Sequence, residues 1–578
     1  MKKYRYFLIV LAGLVFSSCQ DLDREFITTI DRSEIEQSFT NVQSLLTGVY
    51  SEIQDGTLYI GGAAMMASAT DEAEFTLETN AIQSFNTGSW NAINNPDSVW
   101  DNYYRGIRKV NQFLLSTGKI NLDPWKLDPS PSAQAVYNTN LALINNWNYE
   151  ARLLRAYFYF ELVKRYGGVP LLTNALSIDD DFSIVKRNNL KECIDFITSE
   201  CDLAAANLPL TTKTLPYVDA RDLGRVTKLT ALALKSRVLL YAASDLFNTP
   251  SWAGGYANPE LISLPAGDRI ARWKAASDAA KAVIDAQTPP ALGAYKSLFN
   301  TFNNPEIIFT RTASNSNSFE KNNSPIGFQL AQSGNTPSQD LVDAYEVRVN
   351  STTAVKFNWN DPAMAANPYL SRDPRLGFTV VINDALFGTP NRKVEIWNGG
   401  KDAKPIINAT KTGYYLRKYQ AESLNLLLDN KAAHSWIIFR YPEIYLNYAE
   451  ALNEWSPGNA DIKLYVDRVR FRTGVAMPGM PAGSQAETRE RIRNEKRVEF
   501  AFEDHRFWDV RRWMQGPQFF GKPLRGVEVI STNSPTNNTF KYTPVNVENR
   551  SFEAKMYLYP IPQSELNIAK GLIQNPLW

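Results

Sequence analysis

The chain has 578 residues, long enough for two to four domains of ordinary size, and its 44% hydrophobic and 21% charged content supports a large buried core. Sixty-one basic residues against 60 acidic ones leave a net charge of +1, which gives no electrostatic basis for binding nucleic acid. Only 2 His and 3 Cys are present, which argues against a disulfide scaffold, a Cys-rich zinc site or a His-rich metal centre.

The N-terminus reads as a targeting segment. Lys2, Lys3 and Arg5 precede an apolar run from Phe7 to Phe16. Ten residues are too few to span a bilayer as a helix, so the run is the apolar part of a secretory signal. Ser17 and Ser18 then lead to Cys19, a pattern that resembles a bacterial lipoprotein signal in which Cys19 is acylated. Residues 1–18 form the signal and residues 19–32 a tether carrying Asp21, Asp23 and Glu25. Processing leaves 58 basic against 60 acidic residues, so membrane attachment rests on lipid and not on a polybasic patch.

Helical periodicity recurs along the body. Segments 33–50, 100–115, 148–166, 191–206, 228–247 and 270–286 carry apolar residues at intervals of three or four, and 437–455, 462–472 and 489–513 do so near the C-terminus. Small–large alternation at 230–238 and 273–280 resembles tetratricopeptide helices at an irregular spacing. Residues 51–99 form an excursion rich in Gly and Asn. Residues 287–435 hold Gly, Pro, Asn and Ser clusters with short candidate strands at 306–310, 378–382 and 394–397. The expectation is a mainly α protein, with helical part 33–286, a loop-rich, ligand-facing lobe at 287–435, and 436–578 packing back on the helices. If 191–206 is one helix, Cys193 and Cys201 lie about 12 Å apart along its axis, too far for a disulfide.

Catalytic motifs are missing: no phosphate-binding Gly-rich loop, no nucleophile elbow and no metalloprotease pair. His434 and His505 have no nucleophile at motif spacing. Glu495, Glu499 and Glu503 fall on one helix side and could in principle serve acid–base chemistry, but Arg and aromatic residues interleave with them. Arg493, Arg497, Glu499, Glu503 and Arg506 therefore read as a structural ion-pair network. Aromatics in polar, irregular segments suit sugar recognition, because apolar ring faces stack on them while neighbouring amides meet the hydroxyls. Trp90 with Asn91, Trp359, Trp397, and more weakly Phe319 and Phe328, are the ligand-binding candidates.

Four ordered motifs carry a family resemblance. They are the helix Arg152 to Leu171 with its run Arg155-Ala156-Tyr157-Phe158-Tyr159-Phe160, the segment Phe439 to Ala451, the segment Ile492 to Trp513, and Tyr557 to Pro562 with the ending Gln574-Asn575-Pro576-Leu577-Trp578. Together they resemble the SusD/RagB family. The resemblance implies a tetratricopeptide-like scaffold of about four helix pairs with a loop-rich second lobe. It implies a lipoprotein of the outer membrane, exposed on the cell surface, that captures glycan and passes it to a SusC-like TonB-dependent transporter without cleaving it. No cofactor is required, and a Ca²⁺ would be an incidental structural ion. Peptides or glycopeptides are the alternative cargo, and a carboxylate-based glycan-active enzyme the remote alternative.

Overall fold

The computed structural model describes residues 32–177, 179–213, 222–301, 303–532 and 538–578. Cys19, the signal segment 1–18 and the tether through residue 31 lie outside the described residues.

Ten helices of eight or more residues occur among the described residues. They are α1 (Phe39–Tyr50), α2 (Trp100–Thr117), α3 (Pro131–Tyr166), α4 (Leu190–Asn207), α5 (Lys228–Ala243), α6 (Arg269–Ala286), α7 (Tyr441–Trp455), α8 (Ala460–Arg470), α9 (Gln485–Glu499) and α10 (His505–Arg512). From α1 to α8 each helix packs on the next in chain order, and α9 packs on α7. The α6–α7 contact continues the array across the 154 residues that separate the two helices in sequence, so the loop-rich region is inserted into one helical stack.

Helix α3 is the centre of that stack. It begins earlier than periodicity indicates, because Ser130 caps the Ala133 N–H and Pro131 occupies the first turn. From Leu153 to Tyr166 every residue is buried, so amphipathic period vanishes and a run of large apolar and aromatic residues takes its place. Its charged members survive burial by pairing. Glu161 meets Lys164 at 2.7 Å and Arg165 at 2.8 Å, and Arg165 reaches Asp97 at 2.7 Å. The helix stops at Gly167, whose φ of 76° favours glycine and where a Cβ would stand 2.4 Å from the Leu261 carbonyl oxygen.

Several expected boundaries move. Residues 435–440 are extended, not the start of a helix: β4 (Ser435–Arg440) pairs antiparallel with β2 (Ile307–Thr312), and α7 starts only at Tyr441 with Pro442 in its first turn. All six residues of β4 are buried, which removes the polar/apolar alternation that marks a half-exposed strand. Segment 489–513 is two helices, α9 and α10, broken where Phe502 and Asp504 both take φ of 62°. Residues 375–379 are helical before the short strand Val380–Val381, and no strand forms at 394–397. The longest hairpin among the described residues, β5 (Leu524–Ser531) with β6 (Phe540–Glu548), is not anticipated by the sequence pattern.

Candidate functional site

The sequence candidates separate by burial. Trp90 is 1% exposed and meets Phe85, Tyr559 and Trp578 edge-on at 4.9, 5.0 and 4.7 Å. No sugar ring can stack on it; it pins the excursion 51–99 to the C-terminus. Phe319 is 2% exposed between Tyr419 and His434, and Phe328 is 9% exposed under the Arg392 guanidinium at 4.0 Å. These three expectations are corrected for one reason: an aromatic in a polar loop anchors that loop by entering the core. Asn91 is exposed, and its side-chain oxygen accepts from the Ile93 and Asn94 N–H groups to close a turn.

Trp359 and Trp397 are half-buried. Trp359 lies edge-on to Phe357 at 5.0 Å, and Phe357 rests on the Arg372 guanidinium at 4.3 Å. The indole N–H of Trp359 donates to Asp343 Oδ1 at 3.1 Å, which also accepts from Gln339 Nε2 at 2.7 Å. Arg525 of β5 donates to Asp343 Oδ2 at 2.9 Å and to Asp340 Oδ1 at 2.7 Å. Burial works against the Arg525 charge, but Asp340 and Asp343 outweigh it and hold the guanidinium protonated. Asp340 and Asp343 are one turn apart on the short helix Gln339–Ala344, whose N-terminus is capped by Ser338, so both carboxylates face one guanidinium.

The network continues through Gln339. Its Oε1 accepts from Tyr414 Oη at 2.7 Å; Tyr414 Oη is 3.1 Å from Tyr369 Oη, and Tyr369 meets Tyr542 of β6 edge-on at 5.2 Å. Burial raises the pKa of both linked phenols, so they remain neutral hydrogen-bonding groups. Trp359, Phe357, Tyr369 and Tyr542 are all half-buried, with exposed Asn358 and Asn360 flanking Trp359. Asn398, next to Trp397, joins the same strand further along: its backbone N–H donates to Val529 O at 2.9 Å and its side-chain amide to Glu528 at 3.0 Å. Val529 is four residues, about 13 Å, from Arg525. Asp343, Gln339, Arg525, Tyr369 and Tyr542 were missed in the sequence, where they are spread over residues 339–542 without a shared motif.

Two carboxylates of the Glu495–Arg512 stretch, Glu499 and Glu503, are each clamped by more than one cation. Glu499 is bound by Arg440 at 2.5 Å, Arg472 at 2.6 Å and Arg375 at 2.8 Å, and Glu503 by Lys418 at 2.6 Å and Arg440 at 2.8 Å. Burial would raise the Glu499 carboxyl, but Arg472, Arg440 and Arg375 outweigh it and hold it down to about 2. Arg497 and Arg506 converge instead on Asp71, at 2.7 and 2.8 Å, and so tie excursion 51–99 to the scaffold. Arg493 stands apart, paired with Glu490 at 3.0 Å and placed over the Trp513 ring. His434 is buried with Nε2 2.9 Å from Glu320 Oε1. His505 stacks on Phe500 at 4.2 Å, and burial followed by Arg237 and Lys496 pushes its imidazole well below the usual range. Among the described residues, no group of three or more His, Cys, Asp or Glu side chains could hold a metal ion.

The helical stack thus carries half-buried, hydrogen-bonded aromatics on its inserted loops, an arrangement suited to ligand binding. Comparison with known proteins makes the class specific. The SusD family matches residues 305–578, and a family described as "Starch-binding associating with outer membrane" matches residues 25–240. The SusD-like protein P2 of Formosa agariphila is 23% identical over 600 residues, covering 100% of this chain and 99% of that one. Among solved structures, a SusD-like protein from Bacteroides fragilis NCTC 9343 aligns with a TM-score of 0.73 at 27% identity, over 95% of this chain and 99% of the other. A SusD-like carbohydrate binding protein from the same strain aligns at 0.70 and 24% identity, over 93% and 100%. The chain belongs to the SusD/RagB family, whose members are nutrient-binding lipoproteins of the outer membrane.

Proposed function

We propose that this protein is a surface-exposed lipoprotein, anchored through Cys19, that captures glycan and delivers it to a SusC-like TonB-dependent transporter without catalysis. In this reading, the array α1–α8 is a tetratricopeptide-like scaffold of four helix pairs, and the inserted lobe 287–435, with the β5–β6 hairpin, carries the ligand surface. The observation that supports the ligand assignment most directly is Trp359. It is half-buried, its N–H is fixed by Asp343, and Asp343 is fixed by Arg525. A ring so held loses little freedom when a sugar stacks on it, and the exposed amides of Asn358 and Asn360 suit hydroxyl groups. Arg525 is paired with both carboxylates and Arg372 with backbone carbonyl oxygens, so these guanidinium groups are not free to take a sulfate or uronate. That favours uncharged sugars. The relative named as carbohydrate binding is consistent with the reading.

The test is calorimetric titration of the purified protein against a panel of neutral and anionic oligosaccharides and peptides. For the glycan that binds, Trp359→Ala is expected to weaken affinity by about tenfold or more. Unchanged affinity would remove Trp359 from the site. Binding of peptides alone would replace glycan by peptide as the cargo.

A further inference from the structure

A polar chamber of about 60 Å³ lies within the helical stack, and none of its lining residues belongs to the Trp359 surface. Helices α2, α3, α5, α7, α9 and α10 and strand β4 wall it, and segment 54–59 of the excursion covers it with Gln54, Gly56 and Tyr59. A polar chamber of this size has room for ordered water. The cover lies close but is lightly tied. A Cβ on Gly56 would stand 2.3 Å from the Trp436 indole. Among the described residues, a single hydrogen bond joins 54–59 to the rest of the chain, from Arg311 Nη1 to Asp55 Oδ2 at 3.1 Å.

The charges that face the chamber are paired, with one exception. On α3, Lys164 meets Glu161 and Arg165 meets Asp97, both at 2.7 Å. Arg237 of α5 meets Glu443 of α7 at 2.6 Å, Lys496 of α9 meets Glu450 at 3.2 Å, and Asp509 of α10 meets Arg512 at 2.7 Å. Glu503 is held by Lys418 at 2.6 Å. Burial keeps the His505 imidazole and the Tyr59, Tyr103, Tyr157 and Tyr241 phenols neutral. Asp504 is the exception. Its Oδ1 is buried without a hydrogen-bond partner, and among the described residues no ion pair forms to its carboxylate. It lines the chamber from the turn between α9 and α10, at φ of 62°, and does not cap α10. Burial pushes its carboxyl from 3.8 up to about 7, with Lys164 and Arg165 opposing the rise and Asp97 and Glu161 adding to it.

We propose that segment 54–59 is a proton-controlled cover: neutral Asp504 is stable in the closed chamber, and its ionisation favours an open state in which water reaches the carboxylate. Closing the chamber takes water from a carboxyl group that has no partner, so the closed state retains the proton and the open state releases it. The advantage of the closed state is complete below 3.8 and is lost as pH rises through about 7.

Hydrogen–deuterium exchange of the full-length protein, read on peptides covering 54–64 and divided by the intrinsic rate at each pH, measures the opening. The Thr57, Ile60 and Ala64 N–H groups are hydrogen-bonded in the closed state and report on it. A carboxyl at about 7 when closed and 3.8 when open gives a rise in opening of about tenfold from about pH 6 to about pH 8, levelling off above that. Asp504→Asn keeps the shape of the side chain, tolerates the positive φ, and should abolish the rise. Arg311→Met removes the tie to Asp55 and should increase opening at both pH values alike, leaving their ratio unchanged. Opening that is equal at the two pH values in the parent protein overturns the proposal, as does a rise that persists in Asp504→Asn.

Discussion

Arg440 gives the sharpest test of how the inserted lobe is held on the helical stack. It ends β4 and precedes α7, and its guanidinium reaches three buried carboxylates. Nε donates to Glu503 at 2.8 Å, Nη1 to Glu306 at 3.1 Å and to Glu499 at 2.5 Å, and Nη2 to Glu503 at 2.8 Å and the Glu499 carbonyl at 2.9 Å. Arg440→Met keeps much of the stem volume and removes every one of these donors. The carboxylates are not left bare, because Arg472 and Arg375 still hold Glu499, Arg472 still holds Glu306, and Lys418 still holds Glu503. The expected cost is therefore that of breaking one buried charge cluster, about 3–5 kcal/mol, and not a multiple of it. Guanidinium unfolding followed by tryptophan fluorescence reads this out. The pH dependence has a defined sign. Glu499 is depressed from the ordinary 4.5 to about 2, so its contribution is present above 4.5 and is lost as pH falls toward 2. In Arg440→Met the depression is smaller and acid unfolding begins at higher pH. A loss below about 1 kcal/mol with an unchanged acid limb would refute the claim that this cluster locks lobe to stack.

Three further outcomes follow from the same geometry. Trp90→Ala should destabilise the fold by about 3–5 kcal/mol while leaving glycan affinity of the folded protein unchanged, since the ring is core; a selective loss of binding would contradict that. Glu72 is buried with Oε1 unpartnered, and burial pushes its carboxyl from 4.5 up to about 8. Its favourable neutral state is present below 4.5 and is lost as pH rises toward 8. Thermal scans should accordingly show Glu72→Gln gaining on the parent as pH rises from about 5 to about 8. Gly167→Ala forces a Cβ against the Leu261 carbonyl at a positive φ, and a loss of more than about 1 kcal/mol in chemical denaturation is expected.

One physical cause separates local sequence pattern from the tertiary structure. Local pattern reports how a segment relates to solvent, and it fails wherever tertiary packing removes solvent from every side. Strand β4 is buried along its whole length and carries no alternation. The break between α9 and α10 is set by two residues at positive φ, Phe502 and Asp504, which no glycine announces. Trp90 sits in as polar a neighbourhood as Trp359, yet the C-terminal Trp578 closes over it.

By itself the sequence determined the mainly helical character, the α3 aromatic run with its Gly167 stop, and a family resemblance carried by motifs of scaffold packing. Those features depend on periodicity, capping and side-chain size, which neighbouring residues express. Only the tertiary structure decided which loop aromatics remain at the surface and what orients them. Trp359 is held by Asp343, which is held by Arg525, and the Tyr369–Tyr542 pair joins through Gln339 and Tyr414. These contacts bridge up to nearly two hundred residues of chain. Burial and hydrogen bonding at such range depend on how the inserted lobe folds onto the helical stack, and no local window of sequence contains that information.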